Sequence, residues 1–144
     1  MRTLAAESEV AGADALVAVS PYYFGPSPDC AKRYFSAVAK ATTLPVILYN
    51  FPARTGNDLT PELVADLAAE NQNIIGVKDT VDTISHTRKV IAAVRKVNPS
   101  FSVLSGFRRI LHRQPNQRRQ WRAVRIDQCG AGDFRQPASC MAVR

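Results

Sequence analysis

Four short apolar runs, each parted from the next by a helix-length amphipathic stretch, limit this chain to few folds. Ala15-Leu16-Val17-Ala18-Val19 stops at Ser20-Pro21, and Leu44 to Tyr49, Asn73 to Lys78 and Phe101 to Ser105 follow. Near-continuous apolar runs of this length belong to strands of a parallel sheet covered by helices. The stretches between them carry helix starts. Ser27-Pro28-Asp29 and Thr60-Pro61-Glu62 each put a hydroxyl at the cap, a proline in the first turn and an acid behind it. Helices are predicted from these caps to about Ala41 and about Glu70. Another is predicted from about Thr83 to Val97, with Val90, Ile91, Val94 and Val97 on one face, and Leu4 to Ala11 reads as a helix end. The predicted class is α/β.

The polar residues come at the ends of the strands: Tyr22-Tyr23, Tyr49-Asn50, Lys78-Asp79 and Ser105-Gly106. Carboxyl ends of parallel strands are where barrels and doubly wound sheets place their chemistry. Two of these side chains form a chemical pair. An amine that attacks a carbonyl must be neutral, which favours a desolvated site and a nearby proton shuttle. Adjacent strands lie about 4.8 Å apart, so Tyr49 can be that shuttle for Lys78. Taken singly, each residue has a plainer reading. A strand-end lysine is most often a solvated terminus, Tyr49 a rim residue, Tyr22-Tyr23 a packed turn and Arg54 a surface charge. The pairing is what points to a Schiff-base lyase.

Length and charge narrow the class further. At 144 residues the chain has the size of one ordinary domain. It contains no apolar run long enough to span a bilayer, and Met1-Arg2-Thr3-Leu4 opens without the apolar core of a signal peptide. Cys30, Cys129 and Cys140 are odd in number and irregularly spaced, which indicates neither a disulfide framework nor a zinc site. A cytoplasmic location is expected. The net charge of +7 lies wholly in residues 108–144, which hold nine Arg, no Lys and two Asp; the rest balances at ten of each sign. The chain therefore divides compositionally near Phe107.

Residues 1–107 resemble the dihydrodipicolinate synthase / N-acetylneuraminate lyase superfamily of class I aldolases. Ser20-Pro21-Tyr22-Tyr23 is similar to the family's Pro-Tyr-Tyr after the fourth barrel strand, and Tyr49 to Gly56 to its Tyr-Asn-x-Pro-x-x-Thr-Gly after the fifth. Gly76-Val77-Lys78-Asp79 resembles the Schiff-base lysine segment ending the sixth, and Leu104-Ser105-Gly106 the end of the seventh. Tyr-Asn-Phe-Pro-Ala and Lys-Asp-Thr-Val-Asp most resemble the 2-keto-3-deoxy sugar-acid aldolases, while Arg54 is similar to a carboxylate-binding arginine of the synthases.

The resemblance implies a TIM (β/α)₈ barrel, present as a partial barrel of about units four to seven. It implies that Lys78 forms an imine with a 2-keto acid such as 2-keto-3-deoxygluconate, releasing or consuming pyruvate. Tyr49 would relay protons, and Tyr23 would reach across a dimer interface into a partner's relay. Arg54 would face a carboxylate, Thr55 and Gly56 would shape the substrate loop, and Ser105 and Gly106 would belong to the binding region. No metal and no organic cofactor is implied, because the lysine supplies the electron sink. The partners implied are the small-molecule substrate and other copies, in a homotetramer built from dimers. The alternative within the family is dihydrodipicolinate synthase, condensing pyruvate with aspartate semialdehyde.

The family's first three strands have no counterpart here, nor has the Gly-rich Thr/Ser motif that holds the pyruvate carboxylate. The chain as it stands is therefore expected to be inactive in turnover. After Gly106 the family continues with an acidic pair and a Gly-Gly-x-Gly turn, whereas Arg108-Arg109-Ile110-Leu111-His112-Arg113 follows here. Arginine codons of the form CGN, read one base later, can turn Arg108-Arg109 into Asp-Glu, and Arg118 to Arg122 into Gly-Gly-Asn-Gly-Ala. Residues 108–144 are thus read as an out-of-frame, aberrant tail without a native fold. Two rivals remain at this point. Nine arginines with Trp121 and Phe134 interleaved are what a nucleic-acid-binding arm would show, although no recognised motif surrounds them. The half-barrel could also be a non-catalytic assembly module, with two open edges and one uncovered face.

Overall fold

The computed structural model describes residues 2–106 and 140–143. Its elements run α1 (Arg2–Val10), β1 (Ala15–Val19), α2 (Pro28–Ala39), β2 (Val46–Asn50), α3 (Pro52–Thr55) and α4 (Pro61–Glu70). After these come β3 (Ile74–Asp79), α5 (Ile84–Val94), β4 (Ser102–Ser105) and β5 (Cys140–Val143). One sheet has the order β4-β3-β2-β1-β5, parallel through the first four and antiparallel where β5 meets β1.

All four expected strands are present, and their ends have local causes. Pro45 has no N–H to give a ladder, so β2 begins at Val46, two residues inside the predicted start. The two predicted caps form as read. Ser27 Oγ accepts from Cys30 N–H, and Thr60 Oγ1 from Leu63 N–H, each at 3.3 Å. Helix α5 is shorter than predicted. It ends at Val94, so Val97 falls in the turn beyond and is exposed rather than on the apolar face. The single turn α3 was not predicted; Pro52 starts it, and Gly56 at φ 68° closes it in the left-handed region that favours glycine. Nor does the sequence reading place an element at β5. The boundary near 107 and residues 108–139 and 144 of the tail reading lie outside the described residues; of the tail, residues 140–143 are described, as the strand β5 paired with β1.

Helices α2, α4 and α5 cover one face of the sheet. Leu16, Val46, Leu48, Ile74 and Val77 meet Phe35, Val38, Val64, Leu67, Val90 and Val94 in one continuous core. Along β1 and β2 every second residue points into that core, and those between are half-buried on the opposite, open face. Strand β3 would not match this alternation without an irregularity. Its register with β2 shifts between Val46↔Ile74 and Ile47↔Gly76, leaving Ile75 as an extra, exposed residue. A one-residue slip exchanges the faces of everything after it. The bulge thus moves Lys78 from the helix side to the open face, level with Tyr49, and moves Asp79 to the helix side with Asn50. Immediately after the bulge, Gly76 lets β4 approach: a Cβ there would lie 2.8 Å from the Ser102 carbonyl oxygen.

Two polar ties hold the outside. Glu9 on α1 accepts hydrogen bonds from the hydroxyls of Thr43 and Thr42 and from Thr43 N–H, which keep its carboxyl below the usual glutamate range. Lys32 on α2 bridges to Glu70 at 2.7 Å and Asp66 at 3.4 Å on α4; Glu70 is the main cause of its raised pKa. Among the described residues, no helix is long and apolar enough to cross a membrane.

Candidate active site

The amine and the phenol singled out by the sequence meet at the carboxyl ends of neighbouring parallel strands. Tyr49 and Lys78 are in register, with Val19 and Leu104 level with them on the flanking strands. Lys78 Nζ lies 3.8 Å from the centroid of the Tyr49 ring, whose other neighbour is Phe51, stacked at 5.9 Å and 21°. Both side chains are half-buried. A cation over an aromatic face at such a site is worth about 0.5–1 kcal/mol, so the contact aims the amine without trapping it.

Directly behind this pair, on the helix side, lies a buried polar network. Asn50 and Asp79 are in register and each only 1% exposed, and Asn50 Nδ2 donates to Asp79 Oδ1 at 3.0 Å. The same amide group donates to Asp58 Oδ1 at 2.9 Å, and Asn50 Oδ1 accepts from Leu59 N–H at 3.1 Å. Asp79 Oδ2 takes the Thr87 hydroxyl at 2.9 Å and faces His86 Nδ1 at 3.1 Å. His86 Nε2 lies 3.3 Å from Asp58 Oδ2, but off the hydrogen-bonding direction. The Asn50 amide, the Thr87 hydroxyl and the His86 ring gathered around one buried carboxyl group are what make its burial tolerable. Backbone bonds close the same region: Thr80 N–H to Asn50 O and Gly106 N–H to Asp79 O, both at 2.8 Å.

The remaining sequence-predicted residues are placed differently. Tyr23 is 87% exposed, packs edge-to-face on Phe24 and has φ 81°, unusual for a bulky residue; it does not join Lys78. Arg54 is exposed on α3. The Thr55 hydroxyl is buried and spent on its own turn, with Phe51 O and Asn57 O as acceptors, beside Gly56. Ser105 is level with Asp79, so it lies on the opposite face from Lys78. Gly106 passes so close to Thr80 that a Cβ would collide with it. Sequence reasoning missed Asp58, His86 and Thr87. The only signal was that an amide and an acid directly follow the two reactive residues.

Comparison with known proteins identifies the family. Residues 2–114 match the Dihydrodipicolinate synthetase family. The chain is 50% identical over 104 residues to the "Probable 2-dehydro-3-deoxy-D-pentonate aldolase YjhH" of Escherichia coli K12, covering 72% of this chain and 35% of that one. It is 42% identical over 103 residues to the 4-hydroxy-tetrahydrodipicolinate synthase of Bartonella quintana, covering 72% and 34%. Its structure superposes on YagE of E. coli K12, crystallised in complex with pyruvate, with a TM-score of 0.71 and 49% identity over 74% of this chain and 36% of that one. The chain thus spans about a third of the length of these relatives and holds part of their barrel. By sequence and by fold, it belongs to the dihydrodipicolinate synthetase family.

Proposed function

We propose that this segment carries the imine-forming centre of a class I aldolase acting on a 2-keto acid. A 2-keto-3-deoxy sugar acid is its substrate, and pyruvate is released or consumed. The observation that carries the reading is the Lys78 amine held 3.8 Å from the Tyr49 ring on the open face of the sheet. The amine adds to the keto carbon and the carbinolamine loses water, leaving an iminium at C2. Electrons of the breaking C3–C4 bond flow into that iminium, while the phenol of Tyr49 moves the protons. Relatives named as sugar-acid aldolases at 50% identity support this substrate class over aspartate semialdehyde, the synthase relative being at 42%.

Arg54 and Tyr23, both exposed, are assigned to substrate carboxylate and to a second copy of the chain. Thr55 and Gly56 shape the loop between them, and Ser105 and Gly106, beside Asp79 and Thr80, bound the site from behind the sheet. Imine formation is the step for which this segment holds the groups; turnover of an aldol substrate is not expected from it.

The test is reductive trapping. The chain is incubated with pyruvate and borohydride, and all five lysines are followed by peptide mass spectrometry. The adduct is expected on Lys78 in preference to Lys32, Lys40, Lys89 and Lys96. Equal labelling of all five, or none at Lys78, overturns the reading.

A further inference from the structure

We propose that Asn50, Asp79, His86 and Thr87, together with Asp58, form a positioning network that aims Lys78 and Tyr49 from the far side of the sheet. The proposal rests on the imine-forming reading above. Network and reacting pair interleave. Asn50 follows Tyr49, Asp79 follows Lys78, and the register that sets Tyr49 beside Lys78 sets Asn50 beside Asp79. Successive strand residues point to opposite faces, so anchoring Asn50 and Asp79 fixes the directions in which the Tyr49 and Lys78 side chains leave the backbone.

The anchoring is close to complete. Both hydrogens of the Asn50 amide nitrogen have carboxylate acceptors and its oxygen has the Leu59 N–H, which leaves the amide one orientation. Asp79 receives Asn50 on one oxygen and Thr87 and His86 on the other. Thr87 is 1% exposed, and its hydroxyl ties α5 to the end of β3.

A network built for stability alone is a poor explanation. Apolar residues of similar volume often serve a core as well as a buried carboxylate, or better. Nor would such a clasp need to sit on the two residues adjoining the reactive pair. Holding an amine where a carbonyl must arrive does require it, because small misplacements cost large factors in rate.

The test follows borohydride trapping at Lys78 as a function of pyruvate concentration, in the full chain and in Thr87→Val, Thr87→Ser and Asp79→Asn. Thr87→Val keeps the shape and removes one donor; its saturating trapping rate is expected to fall about ten-fold, with half-saturating pyruvate moved less than about two-fold. Thr87→Ser restores the donor and is expected within about two-fold of the parent chain, and Asp79→Asn to fall roughly a hundred-fold. A merely structural role would lower the melting temperature and leave the saturating rate of the folded protein unchanged. That result, in Thr87→Val, overturns the network alone. Should Asp79→Asn fail to fold, Thr87→Val against Thr87→Ser decides. A parent chain that traps nothing overturns the imine reading and this proposal with it.

Discussion

Asn50→Asp changes one atom type in the buried network and leaves its shape alone. The amide nitrogen it replaces lies 2.9 Å from Asp58 Oδ1 and 3.0 Å from Asp79 Oδ1. A carboxylate there would face Asp79 at about 3 Å, a repulsion of about 5 kcal/mol at an effective dielectric near 20. Taking up a proton on folding is cheaper. Lifting a carboxyl from its usual pKa of about 3.9 to hold a proton at pH 7 costs about 4 kcal/mol. N50D is therefore expected to lose about 4 kcal/mol at pH 7, much of the stability of an ordinary domain. The folded variant then binds a proton that the unfolded chain releases, so the penalty grows as pH rises. It should shrink by about 1.4 kcal/mol for each unit of pH lowered toward 4. Urea unfolding of both chains at pH 7, 6 and 5 measures it. A loss below about 1 kcal/mol at pH 7, or one independent of pH, would refute the reasoning.

Gly76→Ala puts a Cβ 2.8 Å from the Ser102 carbonyl oxygen and 3.3 Å from Ser102 Cβ; since a backbone atom cannot swing aside, a loss of about 1–3 kcal/mol in urea unfolding is expected. Unchanged stability would mean that β4 has slack beside β3. Glu9→Gln concerns pH. The Glu9 carboxyl is held below its usual range chiefly by the Thr43 hydroxyl, so its contribution is present above the unfolded pKa and lost as pH falls through the folded one. The variant should therefore show a flatter acid limb in a plot of melting temperature against pH, and an identical slope would exclude the contribution.

Much of the fold could be read from local rules. Ser27-Pro28 and Thr60-Pro61 start helices because a cap oxygen and a proline suit a first turn wherever it packs. The apolar runs mark strands because little else buries five such residues in a row. What the rules could not supply were properties of pairs. Counting alternate residues along β3 gives no hint of the bulge at Ile75, yet that bulge decides which face Lys78 takes. His86 and Thr87 look like ordinary residues early in a helix, and only the packing of α5 against the end of β3 turns them toward Asp79. Ser105 carried a binding expectation from its motif, and the same register places it level with Asp79 instead. The Lys78–Tyr49 pair was legible because two adjacent strands each ended in a reactive group, and neighbouring parallel strands bring such ends together.

The most direct measurement is hydrogen exchange at the methyl group of pyruvate in deuterated water, followed by proton NMR. An imine at Lys78 makes those hydrogens acidic, and a phenol beside it gives them a path. The chain is expected to exchange them faster than buffer, with exchange abolished in Lys78→Met and slowed about a hundred-fold in Tyr49→Phe. Exchange that survives the loss of Lys78 would contradict the account.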